Sequence, residues 1–305
     1  MKKQPLKYRL NVIGGALIIF LLIRSYLPYF AAKFGLNTNY KIWIPICTLI
    51  LILCCVLPIF FIENMCDFHP DLYSEIKKKF SVKKAGIIIA FSMFMLLAFN
   101  FVNSALLIVL KKFGIAFAAE TLPDLSGSAE YFLYFVFSVI TPAIFEELFI
   151  RYLVLNMLKP YGRKYAVLVS SAVFMLMHAK LQSFPAIFGA GVTLACVYLY
   201  CDDIRMSMLL HRTNNAYSFF MQTMSQTASK QSLESMTFFM TLAIISLGIA
   251  STVTLKKENI NIYSPLKNDE RGAKAHTVFS SPVFVLAIIG CCMTILPRFY
   301  RDMVR

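Results

Sequence analysis

Long apolar runs along the chain alternate with short polar or basic stretches. Runs near 10–30, 42–62 and 86–110 are each long enough to cross a hydrocarbon core of ~30 Å as a helix. Further helical candidates occupy 131–157, 165–178, 185–201, 204–222 and 233–255. The run at 165–178 is short, but it follows the basic turn Lys159–Lys164 and could extend to about Leu181. A last run, 282–297, is bounded by Pro282 and Pro297. The pattern predicts an all-α fold: a polytopic transmembrane helical bundle of about eight spans. The short C-terminal segment is a ninth, either spanning or re-entrant.

Composition agrees. Apolar residues make up 58% of the chain and charged residues 15%, against roughly 25% charged in soluble domains. A soluble protein of 305 residues cannot bury that much apolar surface, and disorder, collagen and coiled-coil rods are excluded by the same figures. The net charge of +14 raises the question of nucleic acid. No zinc-ligand spacing and no aromatic-interleaved basic motif supports it, so no nucleic-acid partner is expected.

The basic residues instead fall between apolar runs. A cytoplasmic N-terminus places Lys77, Lys78, Lys79, Lys83, Lys84, Lys159, Arg163, Lys164, Lys256 and Lys257 on one side, the positive-inside pattern, with anionic membrane lipids as partners. If 282–297 crosses, Arg298, Arg301 and Arg305 break that pattern. The first run follows Met1-Lys2-Lys3, but at about twenty residues it is long for a signal peptide and is expected to be retained. Cys47, Cys54, Cys55, Cys196, Cys291 and Cys292 lie inside apolar runs and read as small buried hydrophobes. No internal repeat is visible, which argues against an inverted-repeat transporter.

Charges inside the spans narrow the function. Between Tyr131 and Leu158 the formally charged residues are Glu146, Glu147 and Arg151, each costing at least ~2.5 kcal/mol at mid-bilayer. Glu147 and Arg151 are four apart and can pair on one helix. Glu146 points about 100° away and has no partner in its own helix, which suits a general base. Phe174 and His178 are also four apart, as are His211 and Asn215, so each pair shares a helical face. At ~1.5 Å per residue, Glu146 lies ~16 Å, His178 ~20 Å, His211 ~10 Å and Asn215 ~16 Å from the cytoplasmic helix ends. The four groups are expected to converge on one water-accessible cavity. His69, His276 and Arg212 are expected to face water or headgroups.

Three motifs follow in order: Glu146-Glu147-Leu-Phe-Ile-Arg151, Phe174-Met-Leu-Met-His178 and His211-Arg-Thr-Asn-Asn215. They resemble the E-E-x-x-x-R, F-x-x-x-H and H-x-x-x-N motifs of the CAAX protease and bacteriocin-processing (CPBP) family. That family includes the type II CAAX prenyl endopeptidases. The resemblance covers roughly 130–222 as a catalytic core, flanked by N-terminal spans over 1–129 and C-terminal spans over 223–305, the latter with a polar stretch at 256–281. It departs in the turn Cys201-Asp202-Asp203 and at Ala195, where relatives often carry small residues or glycine.

The resemblance implies an intramembrane endopeptidase of a prokaryotic cell membrane, acting on a membrane-bound peptide or lipidated protein. It implies that Glu146 activates a water with help from His178, that His211 and Asn215 donate to the oxyanion, and that Glu147, Arg151 and Phe174 support them. Zinc held by Glu146, His178 and His211 is an open possibility, although Asn215 is a poor zinc ligand. H-E-x-x-H, G-x-G-D and G-x-S-G motifs are absent from the sequence. A non-catalytic immunity or regulatory protein of the same family is the alternative, and a proton-coupled transporter a more distant one.

Overall fold

The computed structural model describes residues 4–70, 81–117, 122–267 and 275–304, and the regular structure among them is all helical. Lys77, Lys78, Lys79, Arg305 and residues 268–274 of the polar stretch lie outside the described residues. Helix suits so apolar a chain, because a helix satisfies its backbone polar groups within one segment.

The helices are α1 (Leu6–Lys33), α2 (Tyr40–Cys66), α3 (Val82–Lys112), α4 (Ser128–Tyr161), α5 (Arg163–His178), α6 (Phe184–Cys201), α7 (Ile204–Thr227), α8 (Lys230–Lys257) and α9 (Pro282–Val304). Among the described residues, six are long and apolar enough to cross a membrane: α1 to α4, α8, and α6 with its preceding turn. Eight such spans were expected, and the difference lies in α5 and α7. The 16 residues of α5 cover only about 24 Å, and α7 carries too many polar positions. Both instead bury a face inside the bundle, α5 through Val167, Ser171 and Val173, α7 through Ser207, Leu210 and His211.

Backbone breaks fall where the sequence allows them. Gly162 (φ 119) separates α4 from α5, and α5 stops at His178, short of Leu181, because Ala179 adopts a left-handed conformation (φ 50). Asp202 (φ 50) turns the chain after α6, a conformation that Asp tolerates better than most residues. The Asp203 carboxylate then caps α7, accepting from the Arg205 N–H at 2.8 Å. The unusual Cys201-Asp202-Asp203 turn is therefore a stop followed by a start. In α9, Pro282 begins the helix, but Pro297 does not end it, since the backbone stays helical to Val304. An internal proline removes one hydrogen bond and need not terminate a helix. The cysteines are free thiols and most are buried as expected, but Cys292 faces outward.

α1 braces the bundle through polar contacts near three helix ends. Arg9 donates to the Met157 carbonyl near the end of α4 at 2.6 Å. Asn11 accepts from the Val283 N–H at the start of α9 at 3.1 Å, and Arg24 reaches the end of α5. Gly14 permits the close approach of α9, because a Cβ there would sit 2.6 Å from the Phe284 backbone. Gly14→Ala must push α9 away, and overpacking of this kind costs ~1–3 kcal/mol. A lowered melting temperature in detergent is the expected result. An unchanged one would show that α9 is not held at this contact.

Candidate active site

α4 carries the first motif, and it is not a uniform helix. Val136–Ile140 and Leu148–Leu155 are π-helical, on either side of α-helical Thr141–Glu147. Short π-helical interruptions of an α-helix are frequent at functional sites. Pro142 supplies a local cause. It lacks the N–H that would bond the carbonyl four residues earlier, that of Ser138. The carbonyl is instead taken by the Asn215 side-chain amide from α7, at 3.2 Å.

Glu146 and Glu147 are adjacent but face different surroundings. Glu147 and Arg151 are fully buried, with Arg151 Nη1 3.2 Å from Glu147 Oε1. That contact is an ion pair without the alignment of a hydrogen bond, and Arg151 Nη1 has no other partner among the described residues. The directed bond on Glu147 Oε1 comes from His211 Nδ1, at 2.8 Å. Arg151 also donates weakly to the Gly191 carbonyl, at 3.4 Å. Its guanidinium lies 4.3 Å from the centre of the Phe174 ring, within the range of a cation–π contact. Phe174 in turn meets His178 and His211 edge-on, with centroids 4.6 and 5.8 Å apart. One aromatic ring thus spaces two imidazoles and a guanidinium.

Glu146 lies on the other side of this cluster. Its Oε2 is buried without a hydrogen-bond partner among the described residues and stands 3.9 Å from His178 Nε2. His178 Nδ1 is 2.8 Å from the Phe174 carbonyl. A carbonyl can only accept, so Nδ1 carries a proton, and Nε2 of the neutral ring is an acceptor.

Glu146, Phe174, His178, His211 and Asn215 all line one cavity of about 940 Å³, together with residues of α1, α2 and α3. The four predicted site residues are therefore brought together, while Glu147 and Arg151 stand behind the wall. Arg212, His69 and His276 are exposed, as expected. A zinc site needs ligands ~2.0–2.2 Å from a common point. No group of three His, Cys, Asp or Glu side chains forms such a set among the described residues. Nδ1 of both imidazoles is committed to protein partners, which leaves each Nε2 open, the way a histidine commonly presents itself to a metal, but the three-ligand set itself is not assembled among the described residues.

Sequence reasoning missed two features. Arg24 lines the same cavity and had a visible signal, a lone arginine within an apolar run. The bond between His211 and Glu147 had none, because spacing alone cannot say which of two adjacent glutamates faces α7.

Residues 128–217 match the family of Rce1-like proteins, described as type II CAAX prenyl endopeptidase Rce1-like. The matched stretch runs from the start of α4 into α7 and contains every predicted site residue. No curated protein and no solved structure matches the chain.

Proposed function

From the premise that residues 128–217 are similar to the Rce1-like type II CAAX prenyl endopeptidases, we propose that the chain is an intramembrane endopeptidase using a Glu146/His178-activated water. The substrate class is a membrane-associated or lipid-linked peptide or protein. One observation carries the reading: two acceptors, Glu146 Oε2 and His178 Nε2, stand 3.9 Å apart in the cavity wall. That is too far for a bond between them and suits one water donating to both.

A water so held gives one O–H to Glu146 and the other to His178. Its lone pair is left to attack the scissile carbonyl carbon. As the C–O bond forms, Glu146 takes the proton. When the C–N bond breaks, it returns the proton to the leaving amine, as a general base turned acid. The oxyanion needs donors. Asn215 uses one amide N–H on Ser138 and keeps a second. His211 gives its Nδ1–H to Glu147, so donation from Nε2 requires the doubly protonated ring, whose charge Glu147 balances. Glu147, Arg151 and imidazolium His211 then sum to +1 beside the oxyanion. Because the site residues do not form a zinc-ligand set, no step is assigned to a metal.

The test uses the full chain in proteoliposomes with a library of membrane-tethered peptides, some ending in farnesylated Cys-aliphatic-aliphatic-X. Cleavage read by mass spectrometry, absent from Glu146→Ala and insensitive to 1,10-phenanthroline, is the expected result. A library left intact by the folded parent protein would overturn the enzyme reading in favour of a non-catalytic family member. Inhibition by the chelator, reversed by added zinc, would overturn the metal-free mechanism.

A further inference from the structure

α5 ends abruptly. With Ala179 left-handed, the Ala179 N–H reaches back to the Leu176 carbonyl at 3.1 Å. The carbonyls of Met177 and His178 are then without helical donors, as at any helix C-terminus. Both are taken by one side chain from far away in sequence. The Arg24 guanidinium on α1 donates to the Met177 carbonyl and, at 3.0 Å, to the His178 carbonyl. α1 lies outside the segment that matches the protease family.

We propose that Arg24 is a positioning residue for His178, fixing the last turn of α5 so that the imidazole meets Glu146 across the cavity. The His178 side chain is 27% exposed, so packing, including the Phe174 ring, covers only part of it. Two polar attachments add to that packing: Nδ1 on the Phe174 carbonyl holds the ring, and Arg24 holds the main chain from which the ring hangs. Phe174 belongs to the same helix as His178. Without Arg24 the end of α5 can fray and carry ring and anchor along with it. The planar, forked guanidinium is suited to bridging two neighbouring carbonyls, which a lysine ammonium serves less well.

The inference rests on the proposed role of His178, and its test has an arm independent of cleavage. In proteoliposomes, with whichever library peptide the parent protein cleaves, Arg24→Gln is expected to lower kcat by ~10²-fold, as a misplacement of about 1 Å can. KM should move less than about threefold, since the binding contacts persist. Arg24→Lys should recover about tenfold of the loss, because it keeps the charge and part of the reach. In a His178→Ala background Arg24→Gln should cost less than about threefold, since no ring remains to be placed. Independently of cleavage, amide hydrogen exchange at 175–178 should quicken at least about tenfold in Arg24→Gln and return in Arg24→Lys.

An additive loss with His178→Ala, or a change confined to KM, would overturn the proposal. Unchanged exchange at the end of α5 would do the same. Faster exchange in a parent protein that cleaves nothing would uphold the Arg24 cap and sink the protease reading instead.

Discussion

Glu146→Ala is expected to remove peptide cleavage while leaving a well-folded protein. The carboxylate is buried, and its Oε2 has no hydrogen-bond partner among the described residues. His178 Nε2 stands 3.9 Å from that oxygen. Taking out such a group strands no partner, and removing an unsatisfied buried polar atom can even stabilise. Loss of a general base lowers rate by ~10²–10⁴. The measurement pairs initial cleavage rate with melting temperature in the same detergent. Cleavage at the parent rate by folded Glu146→Ala would remove Glu146 as the base. Glu146→Gln, which keeps the shape and loses the charge, should match the alanine variant in rate.

One residue further along, the opposite balance is expected. Glu147 has no exposed side-chain area and serves two partners, Arg151 at 3.2 Å and His211 at 2.8 Å. Its truncation leaves the buried Arg151 guanidinium without a counter-charge. Breaking a buried pair from one side costs ~3–5 kcal/mol, a large share of the 5–15 kcal/mol typical of a folded protein. Glu147→Ala should therefore give little folded protein, with a steep fall in melting temperature. Replacing both partners by apolar residues, as in Glu147→Met with Arg151→Met, should restore part of the stability, because no charge is then left buried alone. Activity should not return with it, since His211 loses the carboxylate that orients its ring. A Glu147→Ala protein melting within a degree of the parent would show that the cluster does not hold α4, α6 and α7 together.

These two opposite expectations for neighbouring glutamates trace back to spacing. Glu147 and Arg151 stand four apart and Glu146 does not share their face, so the division between a paired and an unpaired carboxylate was legible in the sequence. The apolar runs likewise marked the helices, and the i,i+4 pairs marked the cavity-facing sides of α5 and α7. Contacts between distant segments were not legible. Nothing local says that Arg24 meets α5 or that His211 turns Nδ1 toward Glu147, because periodicity reports faces and not partners. The described residues hold six helices that meet the length and hydropathy of a span where apolar content alone suggests eight, for a related reason. α5 and α7 were counted as crossings by their apolar content, yet their length and polarity suit helices sheltered by others. Pro297 misled as a boundary because a proline weakens a helix without obliging it to stop. Pro142 could have been used better, since it predicts an unbonded Ser138 carbonyl for some donor to fill.

The bracing of the bundle by α1 has a consequence for how the protein is made. Arg9 and Arg24 are synthesised long before the carbonyls they bind, which follow 148 residues later for Arg9 and 153 and 154 later for Arg24. At about 5–20 residues per second, that is a wait of roughly 8–30 s. Through that interval α1 has two guanidiniums and none of their α4 or α5 acceptors. A single arginine at mid-helix already costs ~2.5–3.5 kcal/mol to insert. The helix that later braces the site is apolar enough to cross a membrane, but it does so carrying this cost. The brace between α1 and the ends of α4 and α5 can close only once residue 178 has emerged, when more than half of the 305-residue chain has been made.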